Sequence, residues 1–421
     1  MRIVFTTFGS LGDLHPYLAI AIEMKRRGYE AVIATTRLYR EKVESEGIRF
    51  APVRPDLENF EDRSDMVAKV MDAHRGPEFL FREMLMPALR DSFQDVMSAV
   101  EDADLLVGHI AMFATPIAAE LLKKRWISIA LQPAIFFSAT DPPYFPPFGP
   151  LPRISPVIAR SIFAMVRGIT ARWIRPVQML RRELGLPPSR SPVFGDQFSP
   201  WGTLACFSPL LAAPQPDWPA KVAVTGFAIY DKLNADAGGL APEIENFLNA
   251  GDPPVIFTLG SSAVFDPRKF YESSAEAVRK LGRRAILLAG PDYEARIGIR
   301  SSEHILVAEY APYSRLFSRS AATVHSGGVG STAQAMLSGR PTLIMPYSHD
   351  QPDNGMRITR LGVGDMISRR KYTAGEVAGR LRRLLSDAAV KTRAREVGEM
   401  VRAERGTAAA ADALEIQLSR R

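Results

Sequence analysis

Short apolar runs alternate with amphipathic stretches along the first half of the chain. The segments RIVFTTF, EAVIATT, IRFAPV, DLLVGH and WISIAL predict buried strands, and HPYLAIAIEMKRRG predicts a helix that ends at Gly28. Apolar strands separated by helices are typical of a parallel sheet that is covered on both faces. The pattern therefore predicts an α/β domain over residues 1–215.

The alternation stops and then restarts in the second half. Residues 216–242 are rich in Pro, Gly and Asp, and we interpret them as an interdomain linker. The apolar runs PVIFTLG, RAILLAG, HILVAEY, AATVHSG, PTLIMP and VGDMIS then predict a second α/β domain over residues 243–400. We expect a C-terminal helix at 401–421 to pack back onto the first domain.

Residues 151–190 form a basic helical insertion in the first domain. Arginines alternate there with Ile, Phe, Met and Trp at helical spacing. One interpretation is a helical hairpin with solvated arginines. The other is a cationic amphipathic surface that contacts anionic lipid.

Composition narrows the class of protein. A chain of 421 residues is long enough for two domains, and its formal net charge of +7 is spread along the sequence without a nucleic-acid-reading motif. The single cysteine, Cys206, excludes an internal disulfide and fits a cytoplasmic location. The apolar stretch around Gln132 and Pro133 is too short to cross a bilayer. We expect a cytoplasmic monomer or homodimer.

A glycine-rich turn follows one predicted strand of the second domain. In VHSGGVGS the strand ends at His325, and Gly327, Gly328 and Gly330 precede a helix whose N-terminus would attract an anion. The turn is neither a P-loop nor G-x-G-x-x-G, so plain architecture and phosphate binding are both open. Further polar or glycine-bearing loops at the same sheet edge, in GSS, YAPY and YSHDQPDN, favour a nucleotide ligand.

The segment HSGGVGSTAQAMLSGRPTLIMPYSHDQPDNGMRITRLGVG resembles the donor-binding signature of family 1 glycosyltransferases. TTFGSLGDLHP resembles their N-terminal loop, and PDWPAKVAVTGFAIYD resembles the linker of the rhamnosyltransferases of rhamnolipid synthesis, so the resemblance covers almost the whole chain. It implies the α/β GT-B fold, in which two doubly wound Rossmann-like domains face each other across a cleft. The N-terminal domain would then bind the acceptor and the C-terminal domain the nucleotide sugar.

The resemblance implies a donor site in the second domain. His325 and the turn amides would hold the pyrophosphate, Tyr310 would stack on the base, and Asp350 with Gln351 would bind the sugar hydroxyls. Ala333 stands where plant members have a ribose-binding glutamate, and Gln334 is the replacement candidate. The full set comprises Gly260, Ser261, Ser262, Tyr310, Ala311, His325, Gly327, Gly328, Val329, Gly330, Ser331, Gln334, Asp350 and Gln351.

The resemblance also implies a catalytic base near Pro16. Asp13 matches the base position, as in sterol and glycopeptide glycosyltransferases, and His15 is the second candidate. Without the family, both residues are typical of a turn and N-cap before a helix whose first residue is Pro16. The fourth strand, which usually ends in an acidic partner, ends here in His109, so the base dyad is either absent or inverted.

We expect a small apolar acceptor to bind the first domain. Ordinary core packing is the alternative for each aromatic candidate. The candidates are Phe8, His109, Met112, Phe113, Phe136, Phe137, Tyr144 and Phe145.

These features predict an inverting, metal-independent glycosyltransferase that needs no cofactor beyond its donor substrate, a UDP-sugar or dTDP-sugar. Transfer of a hexose from UDP-glucose to a hydroxyl of a phenolic or flavonoid natural product is the first hypothesis. Transfer from dTDP-rhamnose to a hydroxy-lipid is the alternative. A UDP-sugar 2-epimerase and a non-catalytic nucleotide-sugar binder are the hypotheses from other classes.

Overall fold

A computed structural model describes most of the chain, and its contacts divide the chain into two compact units. The first unit comprises Met1–Val70, His74–Tyr230 and Glu404–Arg421, and the second comprises Met71–Ala73 and Asp231–Ala403. The described residues are 1–56, 63–145, 149–150, 155–230, 239–260, 264, 267, 269–291, 293 and 297–419.

A parallel sheet lies at the centre of the first unit. In chain order the strands are β1 (Arg2–Thr6), β2 (Glu30–Thr35), β3 (Arg49–Pro52), β4 (Leu105–His109), β5 (Trp126–Ala130), β6 (Tyr144–Phe145), β7 (Gly149–Pro150), β8 (Thr203–Ala205) and β9 (Val222–Val224). Strands β6 and β7 form a separate antiparallel pair, and the others form one sheet in the order β3-β2-β1-β4-β5-β8-β9. The five apolar runs of the first half are strands β1 to β5, as their sequences predict.

Helices connect these strands and cover the sheet. They are α1 (Leu11–Arg26), α2 (Arg40–Ser45), α3 (Arg63–Val70), α4 (Gly76–Phe79), α5 (Leu89–Val100), α6 (Ala114–Leu121), α7 (Pro156–Thr170) and α8 (Arg175–Glu183). Shorter turns of 3-10 helix span Arg37–Tyr39 and Pro133–Phe136, and a π-helical turn spans Leu80–Leu85. The basic insertion therefore contributes α7 and α8.

Helix α1 begins earlier than its sequence suggests. Its N-cap is Ser10, whose hydroxyl accepts from the Gly12 N–H, while the Asp13 carboxylate accepts from the Ser10 N–H. This reciprocal capping satisfies two N–H groups that the helix itself cannot pair, so the helix starts at Leu11 and contains Pro16. The prediction that Pro16 is the first helical residue, with Asp13 and His15 before it, is wrong.

The second unit has the strand order of a doubly wound nucleotide-binding fold. Its elements are α9 (Pro242–Asn249), β10 (Val255–Thr258), α10 (Phe270–Leu281), β11 (Ala285–Leu288), β12 (Ile305–Ala308), α11 (Tyr313–Phe317), β13 (Ala322–His325), α12 (Val329–Ser338), β14 (Thr342–Ile344), α13 (Gln351–Leu361), β15 (Gly364–Met366), a 3-10 turn (Arg369–Lys371), α14 (Ala374–Ser386) and α15 (Ala388–Ala403). The six strands are parallel in the order β12-β11-β10-β13-β14-β15. Ligands of such sheets bind beyond the carboxyl ends of the strands, where the order reverses.

The last helix, α16 (Gly406–Ser419), belongs to the first unit and packs on α1. The Arg27 guanidinium donates to Asp412 at 2.6 Å and to Glu415 at 2.7 Å. Strand β9 pairs with β8, so part of the stretch that we interpreted as linker completes the first sheet. Residues 231–238 of that stretch lie outside the described residues.

The start of α16 leaves no space for a side chain. A Cβ at Gly406 would lie 2.3 Å from the Phe227 carbonyl oxygen and 2.6 Å from the Gly226 carbonyl carbon. Because backbone atoms cannot rotate away, we expect Gly406→Ala to lower the free energy of unfolding by about 2 kcal/mol or more. Chemical denaturation measures this free energy of unfolding.

Gly379→Ala is the matched control, because a Cβ there meets nothing within 4 Å and the residue lies inside α14. We expect this variant to be stabilised by up to about 1 kcal/mol, since alanine favours a helix interior. Equal stabilities for the two variants would contradict the packing of α16.

Candidate functional site

The donor-site candidates converge at the carboxyl edge of the second sheet. Strand β13 lies between β10 and β14, so the loops that follow these strands are neighbours. The Ser326 hydroxyl after β13 donates to the Leu259 carbonyl after β10 at 2.9 Å. Ser261 and Ser262, which continue the β10 loop, lie outside the described residues.

His325 ends β13 with a fully buried imidazole. Its Nδ1 accepts the Gly327 N–H at 3.0 Å, and burial lowers its pKa to about 3, so the ring is neutral. A neutral ring that accepts at Nδ1 carries its proton on Nε2. That Nε2 is buried and has no hydrogen-bond partner within the described part of the chain. An unpaired buried donor is costly, and an anion oxygen would satisfy it.

The turn after His325 requires glycine. Gly327 has φ +88°, and a Cβ there would lie 2.7 Å from Ile344 Cγ2 and 3.1 Å from the Gln351 carbonyl oxygen. Gly328 is the N-cap of α12 and has no side chain to occupy the first N–H groups, which belong to Val329, Gly330 and Ser331. Free N–H groups at a helix N-terminus beside an unpaired histidine donor are suited to a phosphate.

A buried asparagine that the sequence reasoning missed ties two of these loops together. Asn354 is fully buried, and its Nδ2 donates to the Gly327 carbonyl at 2.9 Å and to Asp350 Oδ2 at 2.7 Å. Asp350 is the N-cap of α13, so Asn354 stands one helical turn beyond it. That i, i+4 spacing is the only signal that the sequence offered.

The side-chain oxygen of Gln351 already has a hydrogen-bond donor. Its Oε1 accepts the Tyr347 N–H at 2.8 Å, and only 7% of the residue is exposed. Among the described residues the Nε2 hydrogens of Gln351 have no acceptor and are left to offer a ligand.

Tyr310 and Ala311 differ in accessibility. Tyr310 is 67% exposed, and its ring centroid lies 6.5 Å from that of Tyr313. Core packing, the alternative for Tyr310, is therefore excluded. Ala311 packs in the hydrophobic core of the unit, so its side chain does not face a ligand. Gln334 is half-buried on α12.

In the first unit, Asp13 and His109 meet. Asp13 Oδ1 lies 3.5 Å from His109 Nε2, while Oδ2 accepts the Ser10 N–H at 2.7 Å. His109 Nδ1 accepts the Ala111 N–H at 3.2 Å, so its Nε2–H points to the carboxylate. The sequence left two alternatives, an absent dyad and an inverted one. The inverted dyad is present: the carboxylate is that of Asp13 on α1, and the imidazole is that of His109 at the end of β4.

The pair sets the ionisation of the carboxylate. Burial alone would raise the pKa of Asp13, but the contacts with His109 and Ser10 outweigh it and hold the pKa below its ordinary value. Asp13 is therefore ionised at neutral pH. Its side chain remains 28% exposed, whereas the His109 side chain is 7% exposed.

His15 is poorly suited to act as a base. Burial and the nearby charge of Lys42 lower its pKa to about 3. Its ring packs on Tyr230 with centroids 4.8 Å apart. A low pKa is common to Asp13 and His15, so it is the packing of the His15 ring on Tyr230 that favours Asp13, and both assignments remain predictions.

Most acceptor candidates are part of the core of the first unit. Phe8, Met112 and Phe113 are buried, and Phe136 lies in an aromatic cluster with its ring 4.4 Å from that of Trp218. These side chains therefore match ordinary core packing, the alternative to acceptor binding. Half-buried Phe137 packs on Phe163 and Phe194, and Tyr144 is half-buried. The Phe145 side chain lies outside the described residues.

Both halves of the chain match family models. Residues 3–124 match the glycosyltransferase family 28 N-terminal domain, and residues 292–415 match the C-terminal domain of erythromycin biosynthesis protein CIII-like proteins. The chain is 31% identical over 422 residues to the O-mycaminosyltylonolide 6-deoxyallosyltransferase of Streptomyces fradiae, covering 96% of this chain and 95% of that one.

Solved structures share the fold over the whole length. The glycosyltransferase of kitacinnamycin superposes with a TM-score of 0.76 at 19% identity, covering 99% of this chain and 98% of the other. Glycosyltransferase VinC in complex with dTDP gives 0.70 at 20% identity and covers 100% of both chains. At these identities the likeness concerns the fold alone.

The Asn354 contacts predict a pH-dependent loss of stability. Asn354→Asp places a second carboxylate beside Asp350, and like charges raise the pKa of such a pair above its unfolded value. Destabilisation should be small near pH 4, where one carboxyl is protonated, and reach about 3 kcal/mol as the pH rises to about 8. Denaturation at both pH values measures it.

Two controls isolate the contact. Asn246→Asp changes an exposed asparagine and should have little effect at either pH. The double variant Asp350→Asn/Asn354→Asp exchanges donor and acceptor at this pair and should recover, at pH 8, the part of the stability lost to repulsion between the two carboxylates, but not the hydrogen bond to the Gly327 carbonyl. No recovery in the double variant would mean that the Asn354–Asp350 bond does not hold the two loops.

Proposed function

Because the chain belongs to the family 1 glycosyltransferases of the GT-B fold and is of the macrolide type, we propose that it transfers a hexose with inversion from a nucleotide sugar to a hydroxyl of a small hydrophobic acceptor. UDP-glucose is the proposed donor and a phenolic natural product the proposed acceptor. The observation that carries this proposal is the Nε2 of buried His325, which lies beside the glycine turn and has no hydrogen-bond partner among the described residues.

The second unit is proposed to bind the donor. The Nε2–H of His325 and the first N–H groups of α12 would donate to the pyrophosphate. As the bond between the sugar and the pyrophosphate breaks, negative charge grows on the leaving nucleoside diphosphate. Neutral donors fixed in place and the helix dipole stabilise that charge, so we propose that no divalent ion is required.

Asp350, Gln351 and Tyr310 are proposed to select the sugar and the base. The Asp350 carboxylate, held by Asn354, would accept from sugar hydroxyls, and Gln351 Nε2 would donate to one. The exposed Tyr310 ring offers a face for the base. VinC was solved with dTDP, so the donor nucleotide is tested with both UDP-sugars and dTDP-sugars.

Asp13 is proposed as the base of the transfer. The acceptor oxygen attacks the anomeric carbon as the nucleoside diphosphate leaves, and the hydroxyl proton passes to the Asp13 carboxylate. The Nε2–H of His109 orients that carboxylate. Because the pKa of Asp13 is lowered, it is a weak base, which suits an acidic phenol or a proton that leaves late in the reaction.

The donor assignment predicts the effect of replacing His325. His325→Ala removes one donor to the pyrophosphate and should weaken UDP binding and slow transfer by roughly tenfold or more. Calorimetric titration with UDP and a turnover screen of UDP-sugars and dTDP-sugars over phenols and hydroxy-lipids, all with EDTA present, measure the two effects.

His304→Ala is the matched control, because His304 is exposed in the same unit. It should bind and turn over like the native enzyme. Native UDP affinity in a folded His325→Ala variant would refute the pyrophosphate role. An isomerised sugar without glycoside, or nucleotide binding without turnover of any acceptor, would refute glycosyl transfer itself.

The base assignment predicts the effect of Asp13→Asn. This variant keeps the size of the side chain but cannot take the proton, so transfer should fall by a factor on the order of a hundred while UDP affinity is unchanged. In the native enzyme, kcat/KM should decline only as the pH drops below the ordinary carboxyl range, because the base must be ionised and its pKa is lowered.

Asp102→Asn serves as the control, since the Asp102 side chain is 82% exposed in the same unit. It should leave kcat/KM unchanged. Near-native turnover in Asp13→Asn, together with an inactive but folded His15→Ala, would move the base to His15.

A further inference from the structure

Exposed apolar side chains are concentrated on helix α7. Among the described residues, four of the eleven exposed large hydrophobic side chains lie on this one helix. They are Val157 (66% exposed), Ile158 (51%), Met165 (48%) and Ile169 (51%). Ile158, Met165 and Ile169 follow the i, i+7, i+11 spacing of one helical face. Scattered exposed hydrophobic residues are ordinary, but a continuous face of them is not.

The fold does not need this face. Another side of α7 already packs inward, where Ala159 and Phe163 form a buried cluster with Ala139. Phe137 closes that cluster with its ring 5.8 Å from that of Phe163. Helix α7 is therefore apolar on its inner side, as the core requires, and also apolar on the side that faces solvent.

The solvent-exposed arc of α7 also carries positive charge. Arg160 and Arg167, two turns apart, lie at the edge of that arc opposite Ile158, Met165 and Ile169, and Arg172, Arg175 and Arg182 follow and are also exposed. No Asp or Glu occurs in the sequence from Ser155 to Arg182. No carboxylate among the described residues lies within ion-pair distance of these five arginines.

We infer that α7 docks this protein on an anionic phospholipid surface. Its face of Val157, Ile158, Met165 and Ile169 would lie in the headgroup region, and the flanking arginines would pair with lipid phosphates. No helix in the described part of the chain is long and apolar enough to cross a bilayer, so the contact is interfacial.

Charge decides between a membrane and a second copy of the chain. In a two-fold dimer through α7, the arginines of one copy would face those of the other with no acidic residue on the face to offset them. An anionic bilayer supplies the complementary charge, worth about 1 kcal/mol per arginine near the surface. The surface lies outside the residues proposed for donor binding and catalysis, so this inference does not depend on the proposed function.

Co-sedimentation of the 421-residue chain with phospholipid vesicles tests the inference. We expect binding to vesicles with about 30% phosphatidylserine, at least about fivefold less binding to pure phosphatidylcholine, and loss of binding as the salt rises from about 0.1 M to about 0.5 M. Two variants divide the surface: Ile158→Ser/Met165→Ser/Ile169→Ser removes apolar area, and Arg160→Gln/Arg167→Gln removes charge. Each should reduce vesicle binding by about tenfold.

A control variant outside this surface and the outcomes that would overturn the inference complete the test. Met400→Ser changes an equally exposed methionine of α15 and should bind vesicles like the native chain. Because all the replaced side chains are exposed, melting temperatures should stay within a few degrees of the native value. No binding of the native chain to anionic vesicles would overturn the inference. So would equal binding by the variants, or a native dimer in size-exclusion chromatography that the apolar variant converts to a monomer.

Discussion

The hydrogen bonds of the Asn354 side-chain amide fix the arrangement of the carboxyl edge of the second sheet, where the donor-site candidates lie. The amide lies fully buried between the Gly327 carbonyl and the Asp350 carboxylate, and so joins the loop after β13 to the loop after β14. The two loops come from neighbouring parallel strands, but strand pairing alone fixes only where each loop begins. A buried hydrogen-bonded contact fixes the relative position of their polar groups, because breaking it would leave unpaired atoms in the interior.

Burial also sets the charge of two histidines, His325 in the second unit and His15 in the first. His325 and His15 are both held neutral with a pKa of about 3, mainly because burial disfavours the charged ring. A neutral imidazole whose Nδ1 is occupied can only donate through Nε2, which suits His325 to an anion. Asp13 keeps its charge because His109 and Ser10 supply hydrogen bonds that outweigh the cost of burial.

The chemistry of a family 1 glycosyltransferase requires groups that bind the donor and a base that takes the acceptor proton. In this chain the candidates for donor binding lie in the second unit, and the candidate base lies in the first. The groups proposed to bind the pyrophosphate and the sugar hydroxyls lie at the carboxyl edge of the second sheet. The carboxylate that is proposed as base lies at the start of α1 in the first unit, where the same Asp13 also caps the helix. Its double role explains how the first turn of α1 can hold a charged side chain in one orientation.

Much of the fold followed from the sequence, as did the place of the glycine turn at the carboxyl edge of the second sheet. Buried parallel strands have a local hydrophobic signature, and the glycine turn after His325 reflects a φ of +88° at Gly327 that other residues adopt with strain. Other features depended on groups distant in the chain. The sequence could not show that His109 faces Asp13, that Phe136 is core, or that Asn354 bridges Gly327 and Asp350, because each depends on which strands become neighbours. The amphipathic arginine pattern of α7 was visible in the sequence, but only the tertiary structure decided which of its two apolar faces the core would cover.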